Sequence, residues 1–391
     1  MHRRNFLKTS GIAALPTLAT TFPFGGAAAV NGRTDKQTPV YFYFDGIKYD
    51  TAGYLNKLQQ LNNAAAIEPD FYGEGGVVEA LEKQFITATG KQAAIYMPSG
   101  TMANQLAIAV LSGENTKVFV QETSHVYRDE ADAAQSIHNK RLIPLAPNEA
   151  VFTLETLQAA IKYHDEGEVF KSGIGAVSIE NPVRRGDGAC MPIEEIRKIS
   201  AYCREKGYKL HLDGARLHMA AAFTGTSVAE YAKHFDTVYI SLYKYLGALG
   251  GAMLCGDKVV IDKMRHLIKV HGGAVYQNWI NAAMALHHLN GLDERLKTMA
   301  KKSADLFAAL NQLPGCTVTP VKNGSNIFYL QTAKGIDANK LWETLDKKHN
   351  IHVWRRPGSD TVKLFVNETL LARDNSSLVA AFKEALATAK V

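Results

Sequence analysis

The sequence predicts an α/β fold: a mostly parallel central sheet covered by helices, followed by a smaller C-terminal α+β domain. Three observations predict it. From about Asp70 onward, short strand patterns alternate with helical ones, the rhythm of a parallel sheet with crossover helices. The strand segments are short apolar runs of about five residues, as strands covered on both faces should be. Beyond Lys258 the pattern turns helical through Leu292 to Leu310, and short strand-like pieces follow.

Taken in order, residues 79–88 read as a helix, and 101–111 are apolar and rich in helix formers. Strands are expected at 117–121 and 141–145, then a helix at 153–164 with Thr153 as N-cap. A buried strand at 175–179 precedes a helix at 192–206. That helix has Pro192 near its start, Glu194 and Glu195 in its first turn and Gly207 just past its end. A strand at 209–213, a helix at 226–234 and strands at 237–241 and 251–255 complete the large unit. The C-terminal pieces lie at 317–321, 326–330, 352–354 and 362–366. The expected division is an export signal at 1–29, an arm at 30–65, a large domain at 66–285 and a small one at 286–391.

Composition is that of an ordinary globular chain, with 46% apolar and 21% charged residues. The formal charge of +6 is spread without a run of like charges, which disfavours a nucleic-acid role. No stretch reaches eighteen uninterrupted apolar residues, so no transmembrane helix is expected. The four cysteines form no CxxC pair and no zinc pattern, and no metal is expected. The N-terminus carries Arg3-Arg4-Asn5-Phe6-Leu7-Lys8, a short apolar stretch and Ala27-Ala28-Ala29. That order is basic region, apolar core and small-residue cleavage site, and the paired arginines resemble a twin-arginine export signal. The expected location is therefore periplasmic. Loss of 1–29 removes Arg3, Arg4 and Lys8, taking the charge from +6 to +3.

In a sheet of this kind, ligands bind beyond the carboxyl ends of the strands. Four features stand there. Asp213 ends the strand at 209–213, although a strand-terminal Asp serves as readily as a helix cap. Lys244 follows the next strand, in Ser241-Leu242-Tyr243-Lys244-Tyr245-Leu246-Gly247, where burial would lower its pKa as a Schiff-base lysine requires. Pro98-Ser99-Gly100-Thr101 opens directly into a helix and offers free amides and a hydroxyl to a phosphate. His125 follows the strand at 117–121 and could stack on a planar ring or simply pack. Each is weak alone. Together they supply a phosphate cradle, a ring-stacking group, a carboxylate and a lysine, which is what pyridoxal 5'-phosphate demands.

With these residues in place, the chain resembles the low-specificity threonine aldolases, within the β-eliminating lyases of fold type I. The matching words run from Asp70-Phe71-Tyr72-Gly73-Glu74 through Pro98-Ser99-Gly100-Thr101-Met102-Ala103-Asn104-Gln105 and His125. They continue with Glu180-Asn181, His211-Leu212-Asp213-Gly214-Ala215-Arg216-Leu217, Lys244 with Gly247, and His271-Gly272-Gly273. The resemblance implies an aminotransferase-like large domain and pyridoxal phosphate as cofactor. It places Gly100 and Thr101 on the phosphate, Ser99, Ser241 and Arg216 among the other cofactor contacts, His125 on the ring and, like a bound water, near the place of the general base, Asp213 at the ring nitrogen and Lys244 as the Schiff base. Arg216 would hold the substrate carboxylate, with Tyr72 at the mouth, and the assembly would be a homodimer or homotetramer with shared sites. The expected activity is cleavage of a β-hydroxy-α-amino acid such as threonine to glycine and an aldehyde. The alternative is β-elimination or racemisation of another amino acid; a non-enzymatic binder is a third reading.

The departures fall on the substrate side. The family's Arg-Ser-Asp-Thr word is replaced by Phe44-Asp45-Gly46-Ile47-Lys48, and Pro182-Val183 follow Glu180-Asn181 where the family has Thr-His. Tyr276 stands where an arginine is frequent. The late carboxylate-binding arginine falls near Lys363, so Lys363, Arg355 and Arg356 are the candidates for the substrate carboxylate. Lysine lacks the bidentate fork of arginine, so that exchange is not conservative.

Overall fold

The computed structural model describes residues 38–354 and 359–391. The expected export signal at 1–29, and Arg355 and Arg356, lie outside the described residues. In chain order the strands are β1 (Val40–Tyr41), β2 (Ala93–Met97), β3 (Lys117–Gln121), β4 (Arg141–Leu145), β5 (Ile174–Glu180) and β6 (Lys209–Asp213). They continue with β7 (Thr237–Ser241), β8 (Ala252–Gly256), β9 (Cys316–Pro320), β10 (Ile327–Thr332), β11 (Ile351–His352) and β12 (Thr361–Phe365).

The central sheet has seven strands in the order β2-β8-β7-β6-β5-β3-β4. The run from β7 to β4 is parallel, and β8 alone runs against both neighbours. Val, Ile and Phe crowd these strands, and β3 and β7 are buried along their whole length, because helices cover both faces. Helix α1 spans Thr51–Ala64, α2 Gly76–Thr89, α3 Gly100–Ser112 and the single turn α4 His125–Arg128. Val78, Leu81 and Phe85 of α2 recur every three to four residues and are all fully buried, the stripe that holds an amphipathic helix to a core.

The C-terminal portion contains a three-stranded antiparallel sheet, β12-β10-β9. The N-terminal arm is stitched to it. Strand β1 pairs with β11, the Phe365 N–H donates to the Phe42 carbonyl, and Asn367 Nδ2 donates to the carbonyls of Tyr41 and Phe44. These bonds fix the path of the chain into Asp45.

The long helical run read beyond Lys258 is three helices, Lys258–Val270, Trp279–Leu289 and Leu292–Leu310. Gly272 and Gly291 interrupt it with φ of 73° and 66°, a left-handed backbone that ends a helix at little cost only for glycine. The helix expected at 226–234 shortens to Val228–Ala232, with the Ser227 hydroxyl as its N-cap. None of the helices among the described residues is long and apolar enough to cross a membrane. All four cysteines are buried free thiols.

Candidate active site

The carboxyl ends of β3, β5, β6 and β7 and the start of α3 converge on one site. Lys244 stands in the loop after β7. That loop is gripped from two sides. A Cβ on Gly46 would come within 2.6 Å of Tyr245 Cα and 3.0 Å of the Lys244 carbonyl, and a Cβ on Gly247 within 2.6 Å of the His288 ring. Both positions need glycine for this contact. The amine is largely buried, and burial followed by the nearby Arg216 charge lowers it to about 8.

Asp213 ends β6 and is 2% exposed. Oδ2 accepts from Asn104 Nδ2 at 3.0 Å and Oδ1 from the Ala215 N–H at 3.2 Å. Asn104 lies one turn into α3, on the face turned toward the sheet. Its Oδ1 meets His211 Nε2 at 2.9 Å, and His211 Nδ1 meets Thr237 Oγ1 at 2.8 Å. His211 is two residues before Asp213 and therefore shares its face of β6.

His125 opens α4. Glu180, at the end of β5 beside Asp213, accepts the His125 N–H at 2.8 Å and the Arg184 N–H at 2.9 Å. Burial, then the Asp213 charge, push the Glu180 carboxyl up from its ordinary value. His125 Nδ1 lies 3.0 Å from Glu130 Oε1, and this bond is the largest cause raising its pKa.

Ser99 caps α3: its Oγ accepts from the Met102 N–H and its carbonyl from the Ala103 N–H. The Gly100 and Thr101 amides remain at the positive end of a thirteen-residue helix. A Cβ on Gly100 would run into the Tyr239 hydroxyl, so only glycine lets the helix start this close to β7. Ser241 is fully buried at the end of that strand. A phosphate cradle, an acceptor-only buried carboxylate, an imidazole and a lysine of lowered pKa are thus one donor set, and it fits pyridoxal phosphate.

Arg216 does not stand free. Its Nε and Nη2 donate to Asp45 Oδ1 and Oδ2 at 2.8 and 3.1 Å, a bidentate clamp. Burial raises the Asp45 carboxyl, and Arg216 more than reverses this, leaving it below the ordinary value. Lys363 is held by Asp187 at 2.5 Å, beside Tyr329, which donates to the same carboxylate. Tyr72 is 48% exposed, edge-on to Tyr276 and Phe71. The structure thus gathers Lys244, Asp213, His125, Gly100, Thr101 and Arg216, holds Lys363 on Asp187, and leaves Tyr72 at an open rim. Asn104, Glu130, His211, Glu180 and Asp45 had no assigned role from sequence. Asn104, His211 and Glu180 stand inside the quoted words, and Asp45 inside the rewritten one.

A family model described as beta-eliminating lyase matches residues 50–333. A low-specificity L-threonine aldolase of Candida albicans is 34% identical over 282 residues, covering 72% of this chain and 74% of that protein. A low-specificity L-threonine aldolase 1 of Arabidopsis thaliana is 26% identical over 335 residues, covering 83% and 91%. A solved structure from Exiguobacterium sp. 255-15, described as an aromatic amino acid beta-eliminating lyase/threonine aldolase, superposes with a TM-score of 0.74 at 26% identity, covering 90% of this chain and 98% of that one. The glycine-tight lysine loop, the buried carboxylate and this extent of similarity agree: the chain belongs to the β-eliminating lyase family.

Proposed function

We propose that this enzyme is a pyridoxal-phosphate-dependent aldolase that cleaves a β-hydroxy-α-amino acid to glycine and an aldehyde. The observation that carries the reading is Lys244, its amine lowered to about 8, in the field of a buried Asp213 that accepts two N–H bonds. Relatives named low-specificity L-threonine aldolase support the substrate class. The Gly100 and Thr101 amides with Ser99 and Ser241 would hold the phosphate, His125 the ring face, Asp213 the ring nitrogen and Lys244 the aldehyde carbon. Bound pyridoxal phosphate supplies an electron sink for the pair released when a bond to Cα breaks.

The chain's own groups do the rest. Asp213, held in place by the Asn104 amide and the Ala215 N–H, offers its carboxylate to the ring nitrogen. Lys244 Nζ can gain or lose a proton near neutral pH, which suits it to serve Cα. His125 Nε2 is the imidazole nitrogen not committed to Glu130, and it can take the proton of the β-hydroxyl as Cα–Cβ breaks. Arg216, oriented by Asp45, keeps three further N–H groups for the substrate carboxylate. Purified holoenzyme should release aldehyde and glycine from at least one of L-threonine, L-allo-threonine and phenylserine. Pyruvate and ammonia from serine, with no aldehyde from any of the three, would transfer the reading to β-elimination.

Two broader proposals accompany it. Export by the twin-arginine route rests on Arg3-Arg4 and the small-residue site before residue 30. Recovery of a chain shortened near residue 29 from the periplasmic fraction checks it. A homodimer or homotetramer is supported by Phe71, Tyr72, Val275 and Tyr276, apolar and 46–58% exposed together at the rim.

A further inference from the structure

Beyond Asp213 the inner end of the site holds two further carboxylates: Glu180, which accepts two backbone N–H groups, and Glu130, which does not. Glu130 is 6% exposed and stands five residues after His125. Its Oε1 accepts from Asn104 Nδ2 at 2.8 Å and faces His125 Nδ1 at 3.0 Å. Ligand atoms of Glu130, His125 and Asp213 all lie within 4.8 Å of one another. Keeping a second carboxylate so near Asp213 is costly, since burial and then repulsion by Asp213 disfavour its charge, and both raise its pKa. A residue retained at that cost invites a reason.

The hydrogen bonds around it point to one assignment. Asn104 Nδ2 has two hydrogens; one goes to Glu130 and the other to Asp213. Its oxygen therefore faces His211. Turning the amide over would set its oxygen against two carboxylates. Burial drives His211 down to about 4, so that ring is neutral. Its hydrogen sits on Nε2 and goes to Asn104, while Nδ1 accepts from Thr237. Glu130 Oε1 already accepts one hydrogen from Asn104, and as the acceptor for His125 too it sets the hydrogen of that ring on Nδ1. In the neutral ring the lone pair is then on Nε2.

We propose that Glu130 is a positioning residue for the aldol cleavage: by accepting the Nδ1 hydrogen it fixes the tautomer and plane of His125 and leaves Nε2 as the proton acceptor. Asn104 completes the device by tying Glu130 to the carboxylate that serves the ring nitrogen. The inference rests on the aldolase reading for its consequence, and on hydrogen bonds alone for its geometry. The groups that face His125 are Glu130 and Asp213, which favour its protonated form, Lys244, which opposes it, Asp129, and Glu180 on its backbone N–H.

The test uses the full chain labelled with nitrogen-15 histidine, with and without cofactor, and its Glu130→Gln and Glu130→Asp variants. In the wild type, His125 should show a protonated Nδ1 and a free Nε2 above its pKa, and should titrate above 6.5. Glu130→Gln keeps an acceptor and removes the charge. Its His125 titration should move down by about one pH unit. The acid limb of kcat/KM should move with it, KM should change by less than about threefold, and Glu130→Asp should restore part of the shift. An Nε2–H tautomer in the wild type overturns the proposal, and that measurement needs no variant to fold. So does a Glu130→Gln protein that loses kcat with both titrations unmoved, which is the mark of a merely structural group. If no β-hydroxy amino acid yields aldehyde, the aldolase reading fails by itself, and the tautomer in cofactor-free protein still decides the role of Glu130.

Discussion

The inner end of the site around Asp213 and its substrate side around Arg216 satisfy their polar groups in different ways. At the inner end, Asp213, Asn104, His211 and Thr237 are buried, and each donor meets an acceptor within one chain of bonds. Among the residues expected to meet the substrate, Arg216 is clamped by a carboxylate from a distant arm, Lys363 is held by Asp187, and Tyr72 lies half in solvent. A closed buried network tolerates no exchange without leaving a donor or acceptor orphaned, at about 1–3 kcal/mol each. The part-exposed Lys363–Asp187 pair contributes about 0–1 kcal/mol and can be rewired cheaply, whereas the Arg216–Asp45 clamp is largely buried. The chemistry therefore sits where sequence change is expensive, and on the substrate side the cost differs from one pair to the next.

The largest effect that would break this contrast belongs to Asp213. Asp213→Asn removes the carboxylate and turns an amide N–H₂ toward the N–H₂ of Asn104 or the Ala215 N–H, where only acceptors fit. We expect kcat to fall by roughly 10²–10³-fold, with KM changing little, measured as aldehyde release by the loaded protein. A variant within tenfold of wild type would show that the inner network is not what drives the reaction.

The second effect is one of pH. The nucleophilic form of Lys244 is the neutral amine, and its pKa is lowered from 10.5 to about 8. At pH 7 the neutral fraction is then about 300-fold above that of an ordinary lysine. The rate at which cofactor-free protein loads pyridoxal phosphate should climb with pH and level off above about pH 8. A rate still climbing at pH 10 would mean that the gripped loop does not desolvate the amine.

The same contrast explains what could be read from sequence. β3, β4, β6 and β7 match the expected bounds, since each is an apolar run between polar breaks. β2 was not read: Ala93 and Ala94 carry little strand preference, and Tyr96 and Met97 merge into the Pro98 turn. α1 was absorbed into the arm because only Tyr54 and Leu58 of its fourteen residues are buried, too few for a period. Asp213, Lys244 and His125 were legible because each stands at, or just after, the carboxyl end of a strand. Glu130 and Asp45 were not. Their meaning lies in partners, and the partner of Asp45 is 171 residues away in the chain.

The smallest effect sharpens the comparison within the substrate side itself. Asp45 and Lys363 are both in the rewritten half, yet the structure ranks them differently. Asp45 makes two charge-assisted bonds to Arg216, in a pair only 26% and 16% exposed, and its neighbour Gly46 touches the Lys244 loop. Lys363 is 43% exposed, and its partner Asp187 also holds Tyr329. Asp45→Asn keeps one acceptor but loses the charge, so Arg216 loosens and kcat/KM should fall about tenfold, chiefly through KM. Lys363→Met should change kcat/KM by less than about threefold, as expected for a solvent-screened pair. If Lys363→Met raises KM by tenfold or more and Asp45→Asn does not, Lys363 leaves Asp187 to take the substrate carboxylate, and the clamp on Arg216 is only structural. If the order holds, recognition of the carboxylate has moved to a preoriented arginine, and the arm that carries Asp45 is part of the site.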